Sequence, residues 1–152
     1  MAEGGTMKEI TTEIEIKAPR DQVWKVITEF NNWTDWNPSV KKMTGPNSVG
    51  STLDITMCNK TGGEGPKYQP TITEVEEGKY FRWRAKMGMG FIFTNDKLIE
   101  LHEAPGGTKL VHKELFSGLM LMMMGKHLDS GVGPMLEGMN RALKDHVEKK
   151  AA

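Results

Sequence analysis

The two residues best suited to chemistry are His112 and Glu114, which lie two positions apart in the segment TKLVHKELF. Period-two alternation predicts a strand there, with both side chains on one face beside Leu110 and Phe116. The lysines fall on the opposite face and favour water, so the face with His112 and Glu114 is predicted to point inward. Burying an imidazole or a carboxylate is costly without a partner. We therefore expect the pair to act as acid and base or to orient a ligand at a cavity wall. The alternative is that the pair hydrogen-bonds to the C-terminal helix, or that Glu114 lies near a solvated rim.

Lys97 raises the same question on the preceding strand. Counting back from the Gly-Gly-Thr turn, Lys97 shares one face with Ile99 and Leu101. If that face is the inner one, the amine can meet a carboxylate or phosphate of a ligand while its aliphatic stem lies on an apolar wall. A register slip at a bulge would instead place Lys97 in solvent.

Other chemistries have little support in the sequence. The four histidines lack the spacing of metal ligands and Cys58 has no nearby partner, so we expect no metal site and no cofactor. Neither Cys58 nor the serines lie in a context that activates a nucleophile. The glycines of NKTGGEGPK precede no helix and do not resemble a phosphate-binding loop.

Composition excludes several classes of protein. The 152 residues suit one domain, which we place at 7–150 after a flexible N-terminus at 1–6. Twenty basic and twenty acidic residues balance, so nucleic acid is not an expected partner. The apolar run at 119–124 is too short for a transmembrane segment, which needs about 20 residues. A single cysteine and the absence of a signal sequence at the N-terminus favour a cytoplasmic protein, and we expect a monomer or weak homodimer.

The N-terminal quarter predicts a strand followed by two short helices. KEITTEIEIKA alternates apolar and polar residues, as a strand with one buried face does. A helix is predicted to begin at Ala18 and Pro19, because proline is tolerated in a first turn. NNWTDWNPSV breaks this helix, and a second helical turn would put Trp33 and Trp36 on one side, where we expect them to plug one end of the sheet.

The remainder predicts an antiparallel meander and then a long helix. From residue 39 to 116, short alternating segments are separated by turns, with NKTGGEGPK as a loop and YQPTITEVEEG as one strand. The apolar stripe of GPMLEGMNRALKDHVEKK indicates a C-terminal helix that Gly131, Gly133 and Pro134 start or interrupt. One helix rarely fills the space under a wide curved sheet, so a ligand cavity is expected between them.

Several segments resemble the START-related SRPBCC superfamily, especially its polyketide cyclase/dehydrase-like and coenzyme-Q-binding-like members. IKAPRDQVWKVITEFNNWTDWNPSV contains Ala18-Pro19, Val23-Trp24 and the Trp-x-x-Trp-Asn-Pro element at 33–38, and GGTKLVHKELFSG at 106–118 is similar to the family's penultimate element. The resemblance extends over 7–148. It implies an α+β helix-grip fold, in which a curved seven-stranded antiparallel sheet wraps around a long C-terminal helix, with two short helices between strands 1 and 2.

The resemblance and the pattern together predict binding, transport or sequestration of a small hydrophobic or amphipathic ligand. One alternative is a cyclase/dehydratase-like enzyme with His112 and Glu114 as acid and base, and another is a protein-interaction adaptor of the co-chaperone type. The predicted cavity-lining residues are Leu53, Ile55, Met57, Tyr68, Ile72, Phe81, Trp83, Phe93, Lys97, Ile99, Leu101, Leu110, His112, Glu114, Met123, Met135 and Met139.

The methionine-rich segment GLMLMMMGKHL at 118–128 departs from the family pattern. Its apolar run is too continuous to form one face of a helix, so some side chains must point outward or into a pocket. Methionine is flexible and polarizable. We consider two hypotheses: a pliable gate over the cavity mouth, or an exposed patch that docks a protein partner.

Overall fold

The computed structural model describes residues 7–87 and 92–151, and these contain the predicted order of a strand, two short helices, a run of strands and a long helix. The N-terminal residues 1–6, which were predicted to be flexible, lie outside the described residues. The elements are β1 (Met7–Ile16), α1 (Arg20–Thr28), a 3-10 helix (Phe30–Asp35), β2 (Val40–Thr44), β3 (Asp54–Cys58), β4 (Glu64–Tyr68), β5 (Thr71–Glu76), β6 (Tyr80–Met87), β7 (Phe93–Ala104), β8 (Gly107–Ser117) and α2 (Leu121–Ala151).

The strands form two antiparallel sheets. The larger has the order β1-β8-β7-β6-β5 and the smaller has the order β2-β3-β4. A bridge between Thr52 and Thr71 connects them, supported by hydrogen bonds from Leu53 N to Pro70 O and from Ile72 N to Ser51 O, both 2.9 Å. The long helix α2 packs mainly on β1 and also contacts β8. The α+β helix-grip prediction is confirmed.

The strand count differs from the prediction of seven strands in one sheet. The segment YQPTITEVEEG, predicted as one strand, is divided at residues 69–70 into the end of β4 and the start of β5. Pro70 has no N–H to give to a ladder, so the chain changes sheets there. The predicted loop NKTGGEGPK also proved wrong in part, because β4 begins at Glu64. A Cβ on Gly65 would lie 3.0 Å from the Cys58 carbonyl, so glycine permits β3 and β4 to approach closely.

The C-terminal helix is continuous where an interruption or start was predicted. It runs from Leu121 to Ala151 with Pro134 inside it. Pro134 and Ser130, whose carbonyl lies four residues before the proline, are exposed, so the hydrogen bond that proline removes lies on the side facing water, where its loss costs less. Residues 121–128 of the methionine-rich segment therefore form the beginning of α2.

Two apolar clusters fill the interior. In the main cluster, Phe30 lies between Trp33, Phe81 and Trp83, with ring centroids 5.4–5.9 Å from its own. The 3-10 helix is fixed on α1 by the Trp33 indole N–H, which donates to Ile27 O at 3.1 Å. The smaller cluster is formed by Phe93, Phe116 and Leu121, at the beginning of α2. The described helices include none that is long and apolar enough to span a membrane.

Candidate functional site

A cavity of about 210 Å³ lies between the sheets and α2. The 3-10 helix and the segment after it form one wall, β3, β4, β6, β7 and β8 form the others, and α2 covers it. Its walls are mostly apolar. The lining residues are Trp33, Asn37, Ser39, Val40, Ile55, Met57, Tyr68, Trp83, Asn95, Lys97, Glu114, Phe116, Val132, Met135, Leu136 and Met139.

Some of the predicted site residues line the cavity and others do not. Those that line the cavity are Ile55, Met57, Tyr68, Trp83, Lys97, Glu114, Met135 and Met139. Those that lie in the main core instead are Leu53, Ile72, Phe81, Ile99, Leu101 and Leu110. Phe93 lies in the smaller cluster, and His112 is fully buried but is not part of the cavity wall. Alternation therefore placed these strand residues on the inner face, but it did not separate cavity wall from packed core.

Lys97 points inward, so the alternative of a register slip into solvent is wrong. Its neighbour Asp96 is on the other face of β7, where it accepts hydrogen bonds from Arg82 at 2.6 Å and Arg84 at 2.7 Å. The Lys97 side chain is 7% exposed and the Glu114 side chain 6%, and Lys97 Nζ lies 2.6 Å from Glu114 Oε2. The register explains the contact, because the two residues are opposite each other on β7 and β8.

Glu114 is held on both carboxylate oxygens. Lys97 donates to Oε2, and the Asn95 amide donates to Oε1 at 2.7 Å. Asn95 precedes Lys97 by two residues on β7 and therefore shares its face. Buried ion pairs of this kind are tolerated when hydrogen bonds satisfy the remaining polar atoms. Asn95, Lys97 and Glu114 form what we call the polar corner of the cavity.

His112 stands behind this corner and ties it to α2. Lys97 Nζ lies 2.6 Å from His112 Nε2, and His112 Nδ1 lies 2.9 Å from Asn140 Oδ1. The Asn140 amide donates in turn to Thr12 Oγ1 at 2.8 Å. Because Lys97 can only donate, we assign the neutral imidazole with its proton on Nδ1. The predicted hydrogen bonding of His112 to a helix is therefore present.

Burial keeps His112 uncharged. Removal from water lowers the pKa of the imidazole well below its usual 6.5, and the Lys97 ammonium lowers it further, while the hydrogen bond with Asn140 acts in the opposite direction. An imidazolium here would face the Lys97 cation across a hydrogen-bond distance. His112 is thus an acceptor for Lys97 rather than a proton carrier at the cavity surface.

Tyr68 borders the cavity near Glu114. Burial, and then the Glu114 carboxylate, raise the pKa of its hydroxyl, so the phenol stays protonated. Two other lining residues carry buried N–H groups without a hydrogen-bond partner in the described part of the chain, the Asn37 side-chain amide and the Trp83 indole. The wall thus combines apolar surface with a few polar groups, as ligand pockets commonly do.

Several lining residues were missed by the sequence reasoning, and some had a usable signal. Asn95 follows from stepping back two residues from Lys97 along β7. Val132 and Leu136 precede Met139 by seven and three residues, which is the spacing of one helical face. Trp33 was predicted to plug the sheet and Asn37 was not singled out; the irregular segment that positions them has no period from which their direction could be read.

In the methionine-rich segment, the two methionines whose side chains the structure describes, Met120 and Met123, do not line the cavity. Met123 is 81% exposed and does not line the cavity, and Leu119 in the same segment is 58% exposed. Met120 is half-buried against the smaller cluster. The side chains of Met122 and Met124 lie outside the described residues. Among the groups that the structure describes, no three His, Cys, Asp or Glu residues come together as a metal site.

Sequence comparison identifies one family. The family model for polyketide cyclase / dehydrase and lipid transport matches residues 7–148. No curated protein sequence matches the chain.

Solved structures with the same fold cover nearly the whole chain at low sequence identity. The Zhui aromatase/cyclase from Streptomyces sp. R1128 is 14% identical, with a TM-score of 0.77 and 96% of each chain covered. Norcoclaurine synthase from Thalictrum flavum is 19% identical, with a TM-score of 0.72, covering 96% of this chain and 97% of that one. The di-domain aromatase/cyclase StfQ of the steffimycin pathway is 12% identical, with a TM-score of 0.79. This chain is 98% covered but spans only 54% of StfQ.

Proposed function

The chain belongs to the polyketide cyclase/dehydrase and lipid transport family, as its resemblance to the SRPBCC superfamily predicted, and we propose that it binds a small hydrophobic or amphipathic molecule in the cavity under α2. One observation carries the proposal: in a mostly apolar cavity, the two charged lining residues that the structure describes, Lys97 and Glu114, lie together with Asn95 in the polar corner. Apolar walls favour burial of a ligand, and a localised polar group fixes its orientation.

Binding in this cavity is driven by removal of apolar surface from water. The gain is roughly 25 cal/mol per Å² of apolar area, and the cost of ordering the ligand offsets part of it. Trp33, Ile55 and Leu136 are buried lining residues that provide such surface. Met57, Met135 and Met139 line the same space, and their flexible side chains adapt to ligands of different outline. The family description includes lipid transport, which is consistent with a carrier.

The second candidate is an enzyme of the cyclase/dehydratase kind. The observation in its favour is that an ion pair, Lys97 with Glu114, borders the cavity, where either group could transfer a proton to or from a bound molecule. Aromatase/cyclases are among the proteins of similar structure. This hypothesis gave His112 a role as acid or base, but His112 contacts Lys97 and Asn140 rather than the cavity. An enzyme would lose turnover in Glu114→Gln while it still bound its ligand.

A third candidate is an adaptor that docks a protein partner through the exposed methionine of α2. The exposure of Met123 and Leu119 supports it.

Three further expectations stay predictions from the sequence. They are that nucleic acid is not a partner, that the protein is a monomer or a weak homodimer, and that it is cytoplasmic.

Native mass spectrometry of the protein purified from its own source tests the carrier hypothesis. We expect an added mass of a single small organic molecule that is released on denaturation. A co-purifying protein with an empty cavity would favour the adaptor. If repeated preparations carried neither a small molecule nor a partner, and extracts of the source restored none, the proposed function would be wrong.

A further inference from the structure

The charges that border the cavity already cancel each other. Among the lining side chains that the structure describes, Lys97 and Glu114 are the only charged ones, and they pair with each other at 2.6 Å. A ligand with its own net charge would move from water into a cavity that offers no counter-ion. Burial of such an unpaired charge is strongly unfavourable. The prediction that Lys97 meets a ligand's carboxylate or phosphate loses its basis, since Glu114 already occupies that position.

Four acceptor atoms at the polar corner or near it already have a hydrogen-bond donor. Glu114 Oε1 accepts from Asn95 and Oε2 from Lys97. His112 Nε2 accepts from Lys97. The Asn37 side-chain carbonyl accepts from the Ser39 backbone N–H at 2.9 Å.

Donors, in contrast, remain available around the same space. An ammonium has three N–H groups, and two of those of Lys97 are directed to Glu114 and His112. Tyr68 lines the cavity, and burial together with the nearby Glu114 charge keeps its hydroxyl protonated and able to donate. The Asn37 amide and the Trp83 indole N–H have no partner within the described ranges. A buried donor without an acceptor is unfavourable, so a ligand that supplies an acceptor oxygen is favoured over one that does not.

The volume restricts the size of such a ligand. An engineered apolar cavity of about 150 Å³ binds benzene, and this cavity measures about 210 Å³. Sites for drug-sized ligands have volumes of about 300–1,000 Å³. The space therefore suits one substituted ring or a short branched chain.

We infer that the cavity selects an uncharged molecule, about the size of one substituted ring, that carries a carbonyl-type acceptor oxygen. The oxygen lies at the polar corner and accepts a hydrogen bond from the Tyr68 hydroxyl, which borders the cavity near Glu114, and the ring lies against Trp83. This inference rests on the proposed function, because it concerns the ligand of the same cavity.

Four probes of nearly equal shape separate charge from hydrogen bonding. Acetophenone is neutral and carries an acceptor, α-methylstyrene replaces its oxygen by CH₂, benzoate is an anion and benzamidinium is a cation. With affinities measured by calorimetry at pH 7, we expect acetophenone to bind most tightly. The hydrocarbon should bind about threefold to tenfold more weakly, which corresponds to one net hydrogen bond. Each ion should bind at least about tenfold more weakly than acetophenone, because it enters without a counter-ion.

The two tyrosines of the chain provide a matched pair of variants. Tyr68→Phe removes the hydroxyl at the cavity, whereas Tyr80→Phe removes one that donates to Glu74 at 2.7 Å on an exposed part of the sheet. Tyr68→Phe should reduce acetophenone affinity to near that of α-methylstyrene and leave α-methylstyrene unchanged. Tyr80→Phe should leave all affinities unchanged.

The outcomes distinguish this inference from the proposed function. Tightest binding of benzoate or benzamidinium, or equal binding of acetophenone and α-methylstyrene, would overturn the inference and leave a ligand-binding cavity in place. Unchanged acetophenone affinity in Tyr68→Phe would overturn the role of that hydroxyl. If none of the four probes bound the wild-type protein and native mass spectrometry found no small molecule, both the inference and the proposed function would be overturned.

Discussion

Lys97 is stable in the interior because its two partners are close and well placed. Glu114 supplies the opposite charge and His112 supplies a neutral acceptor, each 2.6 Å from Nζ. Taking two charges out of water costs several kcal/mol, and the attraction between them offsets this only while both are present. The stability lost when either residue alone is removed is therefore mostly the cost of leaving the other charge buried without its partner.

A double-mutant cycle tests this dependence. Lys97→Met and Glu114→Met should each lower the free energy of unfolding by roughly 3 kcal/mol, because each leaves the charge of the other residue buried and unpaired. The double variant Lys97→Met/Glu114→Met should lose less than the sum of the two single losses in urea denaturation, since no unpaired charge remains and only the neutral His112 and Asn95 groups lose a partner.

The exposed pair of Lys79 and Glu76 is the control for that cycle. Its atoms lie 3.0 Å apart and its side chains are more than half exposed, so Lys79→Met should change stability by less than about 1 kcal/mol. A double variant at the buried pair that lost the sum of the two single losses would contradict the explanation.

The neutral state of His112 gives a pH dependence with a definite sign. The imidazole is unprotonated in the folded protein because its pKa is lowered well below 6.5, whereas the unfolded chain takes up a proton near that pH. The unfolded state then binds more protons, so stability falls as pH decreases. This one residue should cost about 1.4 kcal/mol between pH 7.5 and 5.5.

Nuclear magnetic resonance of the His112 ring measures its protonation directly. The ring should keep its proton on Nδ1 and show no titration between pH 7.5 and 5.5. An Asn140→Ala variant should change the Nδ1 signal more than the Nε2 signal, because Nδ1 loses its hydrogen-bond partner. Protonation of His112 near pH 6.5 in the folded protein would contradict its assignment as a buried neutral acceptor.

At the scale of elements, the departures from the sequence prediction lie at proline and glycine. Pro70 divides a predicted strand, and Gly65 lies in a strand where a loop was predicted. Pro134 was expected to start or interrupt α2 and lies inside it. Local preference does not determine these outcomes, because each depends on a neighbour that is distant in sequence or on which side of the element faces water.

Two glycine substitutions should change stability in opposite directions. Gly65→Ala would place a Cβ 3.0 Å from the backbone of Cys58, so we expect a loss of about 1–3 kcal/mol as β3 and β4 move apart. Gly138→Ala lies within α2 and meets nothing within 4 Å, so it should gain about 0.5–1 kcal/mol from helix propensity. Thermal and urea unfolding measure both. Equal effects at the two positions would show that the close approach at Gly65 is not what requires glycine.

Alternation along β8 was sufficient to predict that Glu114 faces inward, whereas on β7 it left open whether Lys97 faces the interior or solvent. It was not sufficient to predict that His112 lies behind the cavity wall, because that depends on Asn140, a residue of α2 that is 28 positions away. The sequence likewise did not predict that Asn37 lines the cavity, since Asn37 follows a 3-10 helix with no repeating pattern. Period-two reasoning thus determines the face of a strand, and the packing of distant elements determines which part of that face borders open space.

For the whole molecule, the cavity is a consequence of architecture. One helix, α2, lies across sheets of five and three strands, and its side chains cannot fill the concave space completely. Proteins with very different sequences share this arrangement, as identities of 12–19% at TM-scores of 0.72–0.79 show. The fold therefore provides the space, and the lining residues of each chain decide what occupies it.

The most direct test is to fill the cavity and measure acetophenone affinity by calorimetry. Met139→Trp puts a large side chain into the lining, and Glu137→Trp puts the same side chain on the exposed side of α2, two positions away. With folding of both variants verified by circular dichroism, we predict that Met139→Trp weakens binding at least about tenfold, because the ligand and the indole compete for about 210 Å³. Glu137→Trp should bind as the wild type does. Equal affinity in the two folded variants would contradict the claim that this cavity is the binding site.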